Sequence, residues 1–469
     1  MEGDARLSEL NTIFKAYDIR GKVGETINDV VFYTVGKAFV EYYGLEGATV
    51  IVGRDMRESG EGYAEAFMKG CAAAGVMRII NLGETSTDAL YYASGLYNAS
   101  GAMFTASHNP SEYNGLKLCL PGALGVSLNT GLEEVKQLAA EYLKEENPMD
   151  ESLVFVENMD ILPQYSQKLR ELSSAETHEG LKIVTDAANG MAGLTIPAVF
   201  NATEQQDALP HEIIDMFFEL DGAFPNHPAD PLNPKNLKDV QAKVKETKAN
   251  LGLAFDGDAD RCVIIDEKGK TISPSIVSSI IVETLSKTEP DGTILYSALT
   301  SREFKETIEA NGYTPVRIKV GHSPAKQTMK ETGALFAGEH SGHYYFKDFY
   351  GADTGMLAAL MFIKTMSDTG LKASELAAKH DVYHQSGELN FTVSDPSKLV
   401  GKIKTLFETH NIEHYDGVTV SHDENGVWWW VNVRPSNTEP LVRLNVESNH
   451  ELLMRQMREL LIDVIKTCQ

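Results

Sequence analysis

Short apolar runs alternate with amphipathic stretches through much of the chain, and this pattern predicts an α/β protein. Ala48 to Val52 is a β-branched run that stops at Gly53-Arg54-Asp55. Ser59 then stands as a helix cap. Tyr63, Ala66, Phe67, Cys71 and Ala74 fall on one helical face, and Gly75 ends it. Val76 to Leu82 and Gly101 to Thr105 read as further strands, so the first sheet is expected to be largely parallel. A second unit opens with Leu181 to Val184 and the loop Asp186-Ala187-Ala188-Asn189-Gly190, and a third near Gly292 to Tyr296. The three openings share a plan of strand, polar loop and helix, although their residues barely repeat.

The C-terminal pattern differs. Gly417 to Ser421 and Val427 to Val433 flank Asp423-Glu424-Asn425-Gly426, a hairpin turn signal. In Leu441 to Glu447, Val442, Leu444 and Val446 alternate with Arg443, Asn445 and Glu447. From about His450 an amphipathic helix is expected, with Leu453, Met457, Leu460 and Leu461 on one face. These elements predict a small α+β domain with an antiparallel sheet.

A length of 469 residues exceeds one ordinary core and implies two to four domains. Between Glu141 and Asp160 seven acidic residues accompany one lysine and Pro148, which reads as a solvated connection between domains. The net charge of −25 argues against a general partner among nucleic acids or anionic membranes. An anionic small substrate would then require positive charge gathered in one place. Four scattered cysteines, no signal-like N-terminus and no long apolar run point to a soluble cytoplasmic protein without a disulfide framework.

Four polar loops carry candidate chemistry. Thr105-Ala106-Ser107-His108-Asn109-Pro110 places a hydroxyl and an imidazole after an apolar strand, with Lys117 following; alone, it also fits an ordinary turn. Asp256-Gly257-Asp258-Ala259-Asp260-Arg261 follows Leu251 to Phe255. Read as an extended segment, it points three carboxylates the same way, a cluster that a hard cation such as Mg²⁺ or Ca²⁺ would relieve. An EF-hand is excluded, because Arg261 occupies the position that needs glycine and both flanks are strand-like. Gly338-Glu339-His340-Ser341-Gly342-His343 suits hydrogen bonding to a polyol, while zinc lacks further ligands. Arg434-Pro435-Ser436-Asn437-Thr438-Glu439-Pro440 offers a guanidinium fork, neutral donors and turn N–H groups for a phosphate.

In this order and spacing the loops resemble the α-D-phosphohexomutase superfamily. Phe14-Lys15-Ala16-Tyr17-Asp18-Ile19-Arg20-Gly21 and Lys319-Val320-Gly321-His322 extend the resemblance over nearly the whole chain. The Gly-Glu-His-Ser-Gly-His form of the third loop resembles the phosphomannomutase/phosphoglucomutase branch rather than phosphoglucosamine mutases. The resemblance implies a heart-shaped, four-domain protein around a central cleft: three similar mixed α/β domains over residues 1–155, 156–270 and 271–382, and an α+β domain over 383–469. It implies a phosphoserine at Ser107, with Asp256, Asp258 and Asp260 as Mg²⁺ ligands completed by that serine phosphate. Glu339 and Ser341 resemble the contacts to the sugar hydroxyls. Arg434, Ser436, Asn437 and Thr438 resemble the site for the non-reacting phosphate. Arg20, Lys117, Arg261, His322 and His343 resemble residues that position charge and move protons, with His108 beside the serine and Lys319 near the substrate. One departure is visible. Some members carry a lysine after the opening strand of the third domain; here Ser297 to Arg302 contains none, and Arg302 is the available substitute.

The implied reaction is phosphoryl transfer between O1 and O6 of a hexose phosphate, mannose or glucose, through phospho-Ser107 and a hexose 1,6-bisphosphate. Lys117, its pKa lowered by neighbouring cations, is the first candidate base, and His322 or His343 the second. The competing expectations are a phosphoglucosamine mutase, a Mg²⁺-dependent sugar phosphatase and a catalytically silent sugar-phosphate sensor. A mobile C-terminal domain, a monomer or dimer, and a positive pocket in a negative protein complete the expectations.

Overall fold

The computed structural model describes residues 10–145, 155–204, 206–435 and 441–468. Four sheets follow one another along the chain. In the first, Thr49–Arg54 lies between Arg78–Glu84 and Ser100–Phe104, parallel to both. Tyr113–Leu120 then joins Ser100–Phe104 antiparallel, and Ile19–Lys22 joins its far side. Val156–Asn158 pairs parallel with Arg78–Glu84, so the first unit reaches beyond the boundary expected at residue 155.

The second sheet runs Thr271–Ile272, Cys262–Asp266, Leu251–Phe255, Lys182–Asp186 and Glu212–Met216. The third runs Thr314–Ile318, Thr293–Ser297, Phe336–Gly338, Tyr344–Phe346 and Ala352–Asp353. Both mix parallel and antiparallel pairs. The fourth is antiparallel, with Val427–Pro435 between Val418–Glu424 and Val442–Ser448. The hairpin of Val418–Glu424 and Val427–Pro435 turns at Asn425 and Gly426, both at positive φ, as the sequence signal required.

Local signals set most helix ends. Asn28 and Ser86 accept from Val31 N and Ala89 N at the starts of Asp29–Tyr43 and Thr87–Tyr97. Ser59 precedes the helix Gly60–Ala73 but makes no side-chain cap; its hydroxyl accepts from Asn114 Nδ2 instead. The terminal helix Glu451–Lys466 buries Met454, Met457, Leu461 and Ile465. Met457 and Leu461 lie on the buried stripe as expected, and Leu453 packs half-buried against the same core; of the expected four Leu460 alone is exposed, at the edge of the stripe.

The helices Thr87–Tyr97, Pro274–Leu285 and Gly355–Thr369 pack with strands of the second sheet into one apolar core shared by the first three units. The fourth unit folds around its own core of Leu399, Val420, Val431, Leu444 and Leu461. Polar contacts seam it to the third unit. Buried Glu447 accepts from Ser301 Oγ, Arg302 N (3.0 Å), Gln385 Nε2 (3.0 Å) and Trp430 Nε1 (2.7 Å). Nearby, Val320 N donates to Asp416 Oδ2 at 2.6 Å.

Candidate active site

The sheet ends of the first three units and the inner face of the fourth enclose a cleft of about 1240 Å³. Arg20, Ser107, His108, Lys117, Arg261, His322, Glu339, Ser341, His343 and Arg434 all line it, although they span over 400 residues of chain.

Ser107 lies at the tip of the first loop with φ 50°, a left-handed conformation that costs energy outside glycine. Gly257 of the acidic loop allows the close approach: a Cβ there would stand 2.5 Å from the Ser107 carbonyl oxygen. The two loops are then bonded directly. Ser107 Oγ donates to Asp256 Oδ2 at 2.9 Å, and Arg261 Nη2 donates to Ser107 Oγ at 3.1 Å. Arg261 Nε also reaches Asp256 Oδ2 at 2.8 Å, and its Nη2 meets His108 Nδ1 at 2.5 Å. Burial, then the Arg261 and Arg20 guanidinium groups, hold His108 well below the ordinary histidine pKa, so its ring is neutral.

Asp256, Asp258 and Asp260 are buried beneath the serine, with one oxygen from each within 4.8 Å of the others. They converge through a turn, with Ala259 at φ 60°, rather than along the extended segment expected. Burial pushes the Asp256 carboxyl up from its ordinary range. Asp258 Oδ1 and Asp260 Oδ1 have no hydrogen-bond partner among the described residues. Buried anionic oxygens without partners are costly, and an all-oxygen donor set fits Mg²⁺. The residues present therefore fit the implied metal.

Lys117 departs from expectation. Its ammonium donates to Asp258 Oδ2 and Asp260 Oδ2, both at 2.6 Å. Burial alone would lower its pKa, but these two carboxylates overcome it and hold the proton above the ordinary lysine range. The expected lowering by neighbouring cations is reversed, because anions are the nearest charges. His322 falls to about 3 through burial and the adjacent Lys326, and it is a weak proton acceptor there. His343 goes the other way. Burial alone would lower it, but Glu339, Asp260 and Asp353 raise it above the ordinary histidine value. Its Nδ1 lies 3.0 Å from Ser341 Oγ, and its Nε2 3.6 Å from Asp260 Oδ1.

Glu339 is buried and accepts from Gly321 N at 3.0 Å and Ser341 Oγ at 2.8 Å, which joins Lys319-Val320-Gly321-His322 to the sugar loop. Arg20 donates to Asp18 Oδ2 at 2.8 Å and Asn109 Oδ1 at 2.6 Å. Arg434 is 2% exposed and pairs with Glu388. Ser436, Asn437 and Thr438 lie outside the described residues.

Two expected residues face elsewhere. Lys319 lines a neighbouring cavity of about 540 Å³, where its ammonium stands 5.9 Å from the Tyr415 ring centroid. Arg302 donates to Asp423 at 2.7 Å and Glu306 at 3.0 Å and stacks over Trp428, so it does not replace the missing lysine. Arg57 was not signalled by any motif. It is 2% exposed and donates to the carbonyl oxygens of Ser107, Asn109, Pro110 and Tyr113, with Asp55 as its counter-ion. Asp55 could have been noticed at the end of a parallel strand. Glu388 and Arg443 were also missed; both line the cleft.

Charge is uneven, but less so than expected. Seven Lys and Arg face six Asp and Glu around the cleft, against 42 and 67 in the chain. The acidic excess nearly vanishes there, yet the buried triad keeps the protein alone from forming a strongly positive pocket. Among the described residues no helix is long and apolar enough to cross a membrane.

Family models for the four phosphoglucomutase/phosphomannomutase domains, the three alpha/beta/alpha domains and the C-terminal domain, match residues 11–147, 163–269, 274–383 and 388–463. A phosphomannomutase of Salmonella montevideo is 34% identical over 452 residues, covering 95% of this chain and 97% of its own. A phosphomannomutase/phosphoglucomutase of Pseudomonas putida is 35% identical, covering 96% and 94%. The crystal structure of a phosphoglucomutase/phosphomannomutase family protein from Burkholderia thailandensis superposes with a TM-score of 0.84 at 30% identity over 97% of each chain. With all four domains matched in order and the serine and acidic loops brought together, the chain belongs to the phosphoglucomutase/phosphomannomutase branch of the α-D-phosphohexomutase superfamily.

Proposed function

We propose that this enzyme moves a phosphoryl group reversibly between O1 and O6 of a hexose phosphate, mannose, glucose or both, with Ser107 as the carrier. The observation that supports this most directly is Ser107 Oγ bonded at once to Asp256 and Arg261, above a carboxylate triad that fits a divalent cation. Bound there, Mg²⁺ would neutralise charge on the transferring group. Asp256, Asp258 and Asp260 are its proposed ligands, completed by an oxygen of phospho-Ser107.

In the forward direction the free O6 hydroxyl of a hexose 1-phosphate attacks phospho-Ser107. An O6–P bond forms, the Oγ–P bond breaks, and the hydroxyl proton leaves to a base. The 1,6-bisphosphate turns round in the cleft. Ser107 Oγ then takes the phosphoryl group from O1, and a proton returns to the sugar. Glu339 and Ser341 would hold sugar hydroxyls, while Arg434 with Ser436, Asn437 and Thr438 would hold the phosphate that is not reacting. Arg20 and Arg261 would stabilise the transferring group electrostatically.

His343 is the proposed proton carrier. It borders the cleft within the sugar loop, and Glu339, Asp260 and Asp353 around it favour its protonated form. Lys117, locked between two aspartates, acts as a fixed cation instead. Neutral His108 orients the Arg261 fork, and His322 contributes shape, packed edge-on against Tyr17.

The test is ³¹P NMR of the purified protein with Mg²⁺, trace hexose 1,6-bisphosphate and, separately, glucose 1-phosphate, mannose 1-phosphate and glucosamine 1-phosphate. The expected products are 6-phosphates of glucose or mannose. Inorganic phosphate as the main product would mean a phosphatase. Turnover of the glucosamine ester alone would mean a different mutase, and no conversion would leave only a sensor.

A further inference from the structure

Arg434 and Arg443 stand directly opposite each other in the ladder between Val427–Pro435 and Val442–Ser448. Like charges facing across a ladder destabilise it, so the pair needs a counter-ion. Glu388 supplies one. Its Oε2 accepts from Arg434 Nη2 at 3.2 Å, and its Oε1 lies 3.0 Å from Arg443 Nη1. Oε2 also meets His340 Nε2 of the sugar loop at 3.1 Å. All four side chains line the cleft.

The carboxylate reaches the arginines from the edge of the cleft. Glu388 follows Gly387 (φ 68°), opens the short strand Leu389–Phe391, and keeps 20% of its side chain exposed. It does not saturate Arg434, whose buried Nε has no hydrogen-bond partner among the described residues. An arginine fork recognises carboxylate and phosphate by the same geometry, so the two compete for it.

We propose that Glu388 is an internal counter-ion that exchanges with the non-reacting phosphate of the substrate. It yields when that phosphate arrives and returns when the phosphate leaves. The proposal rests on the mutase reading above, in which the bisphosphate must release this site to turn round between its two half-reactions. A bare arginine pair would hold a dianion tightly and slow that release. A carboxylate anchored beside it, at high effective concentration, lowers the cost of letting go. His340 carries the same exchange to the sugar loop next to Glu339.

The test compares wild type, Glu388→Gln and Glu388→Asp. Inorganic phosphate binding is measured by calorimetry, and kcat and KM with the better of glucose 1-phosphate and mannose 1-phosphate. Glu388→Gln is expected to bind phosphate about fivefold more tightly, the scale of one partly exposed ion pair, with KM and kcat both lowered. Glu388→Asp, which keeps the charge on a shorter stem, should bind phosphate less tightly than Glu388→Gln, and a circular dichroism melt of each variant controls for folding. Unchanged or weaker phosphate binding in Glu388→Gln would overturn the proposal; weaker binding would mean that the carboxylate only aligns the arginines. A wild type without mutase activity would sink the mutase reading alone, since calorimetry still decides whether Glu388 competes with phosphate.

Discussion

Arg57 donates to the carbonyl oxygen of Ser107 at 2.9 Å, so a buried guanidinium fixes the backbone of the proposed phosphoryl carrier. It holds three more carbonyl oxygens of the same segment and pairs with Asp55, which also accepts from Thr105 Oγ1 at 2.7 Å. The left-handed Ser107 is thus held by its surroundings. Arg57→Lys keeps the charge but loses the fork. Its kcat is expected to fall roughly ten- to a hundredfold, with KM changed less, as for a misplaced reacting group. Steady-state kinetics beside a circular dichroism melt would check this; wild-type kcat would mean that the loop holds its shape without the fork.

Ser107→Ala removes the proposed carrier while leaving Asp256 and Arg261 paired. Turnover should drop on the order of a thousandfold or more, as when a covalent nucleophile is deleted. Intact-mass measurement should find a phosphoryl adduct on wild type after incubation with hexose 1,6-bisphosphate and none on the variant. Near-full activity of the variant would remove Ser107 from the mechanism.

Metal dependence follows from the buried Oδ1 atoms of Asp258 and Asp260, which accept no hydrogen bond among the described residues. Chelation should abolish turnover, and millimolar Mg²⁺ should raise the melting temperature, because a ligand that binds only the folded state stabilises it. Asp260→Asn should weaken that thermal shift. A melting temperature indifferent to Mg²⁺ in wild type would contradict the fit.

Two histidines of the second unit, His178 buried and His211 half-buried, give a pH prediction. His178 Nε2 lies 3.1 Å from the Ser173 carbonyl oxygen, while His211 Nδ1 accepts from Leu181 N at 3.2 Å. The His211 contact needs a bare Nδ1 and so a neutral ring; burial lowers both pKa values, His211 to about 4, and in His178 it outweighs the Ser173 carbonyl, which favours the charged form. The unfolded chain binds more protons, so this stability is complete above about pH 6.5 and is lost as pH falls towards 4. Urea midpoints should fall between pH 7 and pH 5 by an amount worth about 1–2 kcal/mol. His211→Phe should flatten that slope; an unaltered slope would assign the acid sensitivity elsewhere.

Glu447 tests the seam of the fourth unit. All four of its partners are donors, so Glu447→Gln turns an N–H towards groups that can only give hydrogen bonds or must reorient. The cost is expected at about 1–3 kcal/mol, concentrated between the third and fourth units. Faster proteolysis near Tyr383 to Glu388, with an otherwise protected chain, would register it. Uniform protection would mean that the seam holds without this carboxylate.

Elements and loops were legible because their signals are local. The period of two in Val442 to Glu447 and the Asn425-Gly426 turn act over a few residues, and the structure repeats them. The ordered loops around Ser107, Asp256, Glu339 and Arg434 pointed to one cleft, and the described part of each reaches it or lies directly beneath it. On the last helix Met457 and Leu461 face the core as expected, whereas Leu460 is exposed and Met454 and Ile465 complete the buried stripe.

By itself the sequence determined the four units, their sheet types and the chemical kinds of side chain brought to the cleft. Only the tertiary structure decided the charge state of Lys117, the outward turn of Lys319, the diversion of Arg302 to Asp423, and the Arg57 and Glu388 clamps. The physical reason is range. Backbone pattern is set by neighbours within a few residues, whereas a buried charge is governed by whichever opposite charge the fold brings within about 4 Å. For Lys117 those charges are Asp258 and Asp260, over 140 positions away along the chain.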